Sequence, residues 1–126
     1  MQCSVTVVNL IHDIQTETDV PVCHVLSGCS WREKQDTSNG DPRRVVHVRL
    51  PPAAGYLPYA QWVRLSAAEK ASHWTLKRGG KLIKGAVQSL TEAEYAALEK
   101  THICCTAASV SDNREPLLPH FHVEGS

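Results

Sequence analysis

Seven histidines and five cysteines are the residues of this 126-residue chain whose types invite chemistry. His120 and His122 alternate along a strand-like segment, so both rings would project to one face, as the ligands of a zinc site must. Cys23, His24 and Cys29 add ligand types, yet the chain contains no Cys-x-x-Cys and no His-x-x-x-His. Structural zinc sites announce themselves by such spacings, so these residues read as ordinary strand histidines and core cysteines, and no metal or cofactor is expected. Nucleophilic catalysis needs a thiol or hydroxyl beside a base. His24 follows Cys23, and His102 precedes Cys104 by two positions, but adjacency in sequence is not the required geometry. No Gly-x-Ser-x-Gly elbow is present, no catalytic residue is assigned, and the chain is not expected to be an enzyme.

Two further groupings carry charge. Asp112-Asn113-Arg114 places a carboxylate, an amide and a guanidinium in sequence before Glu115-Pro116. It reads as a turn whose Asp or Asn bonds its own backbone, leaving Arg114 to pair across a subunit interface. Lys77, Arg78, Lys81 and Lys84 cluster around Gly79-Gly80. On a hairpin they would project from one tip, where they meet phosphates or an acidic partner, or simply deter unwanted strand pairing.

The elements that must position these residues are mostly strands. Ser4 to Ile11 is a β-branched run of strand length, and Pro21 favours an extended start to a second strand from Val22 to Leu26, continuing toward Trp31. Asp13 to Val20 is polar, with no apolar helical stripe. From Arg32 to Pro42 the composition turns to Lys-Gln-Asp-Thr-Ser-Asn-Gly-Asp-Pro, which predicts an exposed loop over 32–42 with turns at Asn39-Gly40 and Asp41-Pro42. Arg44 to Leu50 sets Val46, Val48 and Leu50 on one face and Val45, His47 and Arg49 on the other. Pro51-Pro52 and Pro58 forbid a central strand or helix, so 51–59 is an irregular crossing whose Tyr56, Tyr59 and nearby Trp62 cap the core or join an interface.

Ser66 with Glu69 three residues on predicts a short helix. Trp74 to Lys77 and Lys81 to Val87 then read as two strands joined through Arg78-Gly79-Gly80, whose glycines supply the positive φ of a hairpin turn. Thr91-Glu-Ala-Glu94 is a capping box, with Leu90 and Tyr95 placed as a hydrophobic staple. The stripe Leu90, Tyr95, Leu98 and Ile103 predicts a short peripheral helix over 92–100 lying on a sheet. Ile103 to Val110 and the segment around Phe121 and Val123 supply the last strands. The expectation is a mainly β fold, a small β-barrel or sandwich of about seven strands with one short peripheral α-helix.

Bulk properties bound the function. The length fits a single domain, 1–126, able to bury a core unaided. Thirteen basic and thirteen acidic residues cancel, so no net field draws the chain to nucleic acid or an anionic membrane. No apolar run approaches the roughly 20 residues of a membrane span, and Met1-Gln-Cys-Ser-Val lacks the features of a signal peptide. Five cysteines, including the vicinal pair Cys104 and Cys105 that would face opposite sides of a strand, read as free thiols of a reducing cytoplasm.

Taken in order, the Val5-Thr-Val-Val-Asn9 strand, Gly28-Cys-Ser-Trp31, Val46-His-Val-Arg-Leu-Pro51, Trp74-Thr-Leu-Lys-Arg-Gly-Gly-Lys-Leu-Ile-Lys-Gly85, Val110-Ser-Asp-Asn-Arg114 and Leu118-Pro-His-Phe-His-Val-Glu-Gly125 resemble small structural proteins of the head and neck modules of tailed phages and prophages of Gram-positive gut bacteria. The strand arrangement is also similar to head-closure, or stopper, proteins. That resemblance implies a non-enzymatic virion protein at the head-to-tail junction. Its partners would be itself in a cyclic oligomer and the portal, adaptor and tail proteins, near packaged DNA and without a membrane. Arg78, Lys81, Lys84, Arg114, Tyr56, Tyr59 and Trp62 are the interface candidates. A tail-terminator or minor capsid role is the alternative within that class, and a small cytoplasmic metal- or nucleic-acid-binding domain the alternative outside it.

Overall fold

A computed structural model of the chain describes residues 2–36, 40, 43–113 and 120–126, without side-chain detail for Asp36, Arg43, Asp112, Asn113 and His120. It is mainly β. Six strands run β1 (Cys3–Asp13), β2 (Thr18–Asp36), β3 (Arg43–Leu50), β4 (Lys81–Lys84), β5 (Cys104–Asn113) and β6 (His120–Gly125). They close into a barrel in the order β1-β2-β3-β6-β5-β4, with every neighbouring pair antiparallel. Four short helices accompany them: α1 (Tyr59–Trp62), α2 (Ala67–Ser72), α3 (Glu92–Ala96) and α4 (Leu98–Thr101). The small barrel is thus as expected, with six strands among the described residues in place of about seven and four helical segments in place of one.

Alternation fills the barrel. Val5 and Val7, Leu26 and Cys29, Val46, Val48 and Leu50, Leu82, Cys105 and Ala107, and Phe121 and Val123 form one buried cluster to which every strand contributes. The opposite side of the wall builds a second, smaller core, where Val8, Ile83 and Cys104 pack under Leu90 and Leu98. The vicinal cysteines therefore face opposite sides, as strand geometry requires, Cys105 inward and Cys104 toward the helices. All five cysteines are free.

Two strands turn corners. β2 pairs with β1 up to Cys29 and with β3 from Ser30 onward, and Gly28 at φ 71° sits at the change of partner. β5 pairs with β4 up to Thr106 and with β6 from Ala107, and its register shifts between Ala107 and Ser109. Such corners let a strand serve two sheet faces at a large angle to each other.

Several expectations need correction. Arg32 to Asp36 is not a loop: it extends β2 and pairs with β3 from Arg32↔His47 to Asp36↔Arg43. Its polar composition reflects a ladder that reaches past the core into water; residues 37–39, 41 and 42 lie outside the described residues. Trp74 to Lys77 is not a strand. Its Thr75 is clamped by a side chain instead, with Asn9 Nδ2 donating to the Thr75 carbonyl at 2.9 Å and the Thr75 N–H donating to Asn9 Oδ1 at 3.1 Å. That amide takes the place of a ladder partner, and Trp74 and Leu76 plug the barrel core. Its partner strand is shortened to Lys81–Lys84.

The predicted helix over 92–100 breaks at Ala97 (φ −102°, ψ 16°) into α3 and α4. Its capping box forms as read, Thr91 Oγ1 accepting from the Glu94 N–H at 3.1 Å and Glu94 Oε1 from the Thr91 N–H at 3.0 Å. Ile103 leaves the apolar stripe and is 54% exposed. The chain has already turned from α4 into β5 there, and the Ile103 carbonyl accepts from the Lys84 N–H, so Cys104 takes the buried place.

Close approach of β6 to β5 rests on Gly125. A Cβ there would collide with the Thr106 carbonyl, which accepts from the Ser126 N–H while the Thr106 N–H donates to the Ser126 carbonyl. Gly125→Ala is expected to lower stability by about 1–3 kcal/mol through overpacking, and Leu82→Ala by about 2–5 kcal/mol through a cavity, both read from chemical denaturation midpoints.

Candidate interaction surfaces

The Gly79-Gly80 turn is held against β5, the Gly79 N–H donating to the Ala107 carbonyl and the Ala107 N–H to the Gly80 carbonyl, both at 2.8 Å. This fixes where the basic residues point, and they do not form one tip. Lys81 Nζ lies back on the barrel, 2.6 Å from Thr106 Oγ1 and 3.4 Å from Glu99 Oε1. Lys77 covers the Tyr59 ring at 5.3 Å. Arg78 and Lys84 remain exposed.

The aromatic candidates divide as well. Tyr56 is half-buried at a barrel end, with its ring 4.4 Å from Phe121 and 5.0 Å, edge-on, from Trp74. Trp62 is only 4% exposed, so it caps the interior of the α1–α2 region and offers no open surface. α1 turns it inward, where Tyr59 stacks on it and Lys70 covers its ring at 5.2 Å. Tyr59, 39% exposed, is the most accessible of the three. Arg114 lies outside the described residues.

The described thiols lie on both sides of the barrel wall. Cys23 packs in the helix-side core and Cys29 in the barrel, so β2 holds them on different sides of the wall. Burial raises the pKa of Cys29 and of Cys105 to about 11, and raises those of Cys23 and Cys104 too. Cys104 therefore remains a thiol, although His102 and Glu99 line the same groove. Burial, and secondarily the charge of His73, lowers the pKa of His24 and leaves that imidazole neutral at pH 7. Its Nε2, like Trp62 Nε1, is buried without a hydrogen-bond partner among the described residues. No three His, Cys, Asp or Glu side chains are placed to hold a metal ion among the described residues.

Three grooves mark the outer wall. One of about 490 Å³ runs past Arg44 and Glu33, whose carboxylate accepts from Arg44 Nη2 at 2.8 Å and from the Trp31 indole at 3.2 Å. The Arg44 hydrogen bond, helped by that of Trp31, holds the Glu33 carboxyl below its ordinary value. A second, of about 460 Å³, is lined by Ser30, Trp31, Arg32, Lys34, His47, Arg49 and His122. Register makes it: Ser30 faces Arg49, Arg49 faces His122, and Arg32 faces His47. His47 Nδ1 and His122 Nε2 stand 3.3 Å apart with rings only 5° from parallel, so one imidazole donates and the other accepts. A third, of about 470 Å³, is apolar and joins Ile14 and Val20 of the β1–β2 turn to Ala67 and Ala71 of α2.

The basic groove escaped the sequence reading because its cations come from two strands, Arg32 and Lys34 from β2 and Arg49 from β3. The alternation of Ser30, Arg32 and Lys34 was its one local signal, and the loop assignment concealed it.

By fold and surface this is a small, side-chain-filled β-barrel whose polar chemistry lies on its outer wall. The chain belongs to the DUF6751 family, a family of unknown function, whose model matches residues 1–126. No curated protein and no solved structure matches it.

Two outcomes follow from these environments. At pH 8 a thiol of pKa about 11 is ionised to roughly one part in a thousand. Iodoacetamide is expected to label the half-buried Cys3 first and leave Cys29 and Cys105 unmodified until the protein unfolds, as peptide mass spectrometry will show. The Glu33 carboxyl has a folded pKa below its unfolded value of about 4.5. Its contribution is full above pH 5 and is lost as pH falls through the folded pKa. Glu33→Gln should thus cost up to about 1 kcal/mol at pH 7, as for a solvent-screened pair, and progressively less as pH falls through the folded pKa, measured by thermal melts across pH.

Proposed function

We propose that this chain is a non-enzymatic structural protein of a tailed-phage virion, a ring-forming head-to-tail connector subunit of the head-closure type. The observation that carries the reading is the filled barrel. Twelve side chains drawn from all six strands, with Trp74 and Leu76 as a plug, occupy the interior, so recognition falls to the outer wall. A closed barrel also has no open sheet edge along its paired length, which suits a body that must meet copies of itself only through chosen faces. The resemblance of the Trp74–Gly85 segment and of the Val110–Arg114 and Leu118–Gly125 ending to phage head and neck proteins supplies the biological setting.

In this role the protein acts by assembly in the bacterial host cytoplasm, and its finished location is the virion. Portal or adaptor above, tail proteins below and DNA in the lumen are the partners. Arg78, Lys84 and Tyr59 are the candidates that the fold leaves accessible for such contacts. A tail-terminator or minor capsid protein would use the same rigid body at another level of the particle.

Deleting the gene from an inducible prophage tests the reading. Filled heads and separate tails of normal length are the expected products in negative-stain images, with joining restored by the protein supplied in trans. Tails of irregular length would move the protein to the terminator position, and normal infectious particles would reject a virion role.

A further inference from the structure

We infer that the β1–β2 hairpin tip of one copy docks into the Arg32–Lys34–Arg49 groove of a second copy, giving the head-to-tail contact from which a ring is built. The inference rests on the proposed ring assembly and names its contact.

The chain is neutral overall, but its charge is segregated. Residues 13–19 carry Asp13, Glu17 and Asp19 and no lysine or arginine. Glu17 and Asp19 are exposed, Asp19 standing 3.1 Å from His12 Nδ1, and Ile14 beside them is 84% exposed. The groove has the opposite character. Arg32, Lys34 and Arg49 are exposed along its wall, and among the described residues no carboxylate lines it. Glu124 is paired in register with His47 of the lining, while Glu33 is engaged with Arg44 and the Trp31 indole. Half-buried Trp31 forms part of the lining and gives Ile14 an apolar counterpart.

Complementary charge alone would fit many partners; position singles out a second copy. Tip and groove sit toward opposite ends of the same strand, since β2 begins at Thr18 and reaches Lys34 only after the corner at Gly28. A molecule cannot satisfy its own groove with its own tip, but it can present the tip to one neighbour and the groove to the next. That is a heterologous contact, which closes into a ring when the rotation per subunit divides a full turn. Two short surfaces of opposite sign also steer encounter and set register between subunits.

Carbodiimide cross-linking of an equal mixture of ¹⁴N- and ¹⁵N-labelled protein reads the contact directly, because it joins carboxylates to amines without a spacer. Expected are isotopically mixed links from Glu17 or Asp19 to Lys34, lost in 1 M salt. Sedimentation supplies the second arm. Glu17→Lys with Asp19→Lys, and separately Arg32→Glu with Arg49→Glu, should each weaken self-association at least tenfold, and mixing the two variants should restore it. All four positions are exposed, and circular dichroism with thermal melts checks that each variant folds. Self-association that survives both reversals overturns this contact and leaves ring assembly standing. A wild-type chain that stays monomeric with no mixed link, or a groove that binds a DNA oligonucleotide while the tip stays unlinked, also overturns it; absence from the particle rejects the ring reading separately.

Discussion

Closure of the barrel depends on β4. Lys81–Lys84 is the shortest strand, yet it pairs with β1 on one side and β5 on the other. Its two central residues are divided between the two cores, Leu82 packing among the barrel residues and Ile83 under the helices, at 1% and 0% exposure. Burying one large aliphatic side chain on each face is worth about 1.5–3 kcal/mol apiece, which is what lets so few ladder bonds hold. Were β4 released, β1 and β5 would become bare edges and both clusters would open at once. The elements around β4 reinforce it: the Gly79-Gly80 turn is bonded to Ala107, and Thr6 Oγ1 donates to the Gly85 carbonyl at 2.7 Å while accepting from the Val87 N–H.

The strand wall thus separates two environments, and neighbouring residues can have different fates. Cys104 and Cys105 are adjacent, but Cys105 lies in a packed barrel and Cys104 under α4, so burial protects both thiols by different contacts. The same division explains why a short, fractured helix pair suffices. α3 and α4 need only cover Val8, Ile83 and Cys104, and the capping box with Leu90 and Tyr95 fixes their entry angle.

What the sequence made legible was whatever depends on near neighbours. The alternation of Arg44 to Leu50 gave the inward face of β3 correctly, because Val46, Val48 and Leu50 all end at 0% exposure. Ser66 and Thr91 cap their helices as their spacing with Glu69 and Glu94 requires. Contacts between distant segments were not legible. Trp74 to Lys77 has a strand's composition, and distant partners hold it as a plug instead: Asn9, 66 residues from Thr75, and the Gly55 and Leu57 backbone on either side of Tyr56, which bonds Trp74. Trp62 was open to two readings, capping the core or joining an interface, because its proline-rich segment is too apolar for a plain linker, and it is α1 that turns the ring inward. Arg32 to Asp36 looked like a loop because β3 supplies the pairing that its own polar side chains do not advertise.

Surface chemistry was the least legible part for the same reason. A net charge of zero excludes a field acting on the whole molecule, but it is a sum and carries no information on placement. Placement here is set by β2, whose length is forced by the barrel: it must pair with β1, turn at Gly28 and continue along β3. That route carries Asp19 to one end of the strand and Arg32 and Lys34 toward the other, and the register of β3 then brings Arg49 across from Ser30. The corner that lets the barrel close is therefore also what keeps the acidic and basic surfaces apart, so the closing geometry of the fold and the polarity of its outer wall have one structural cause.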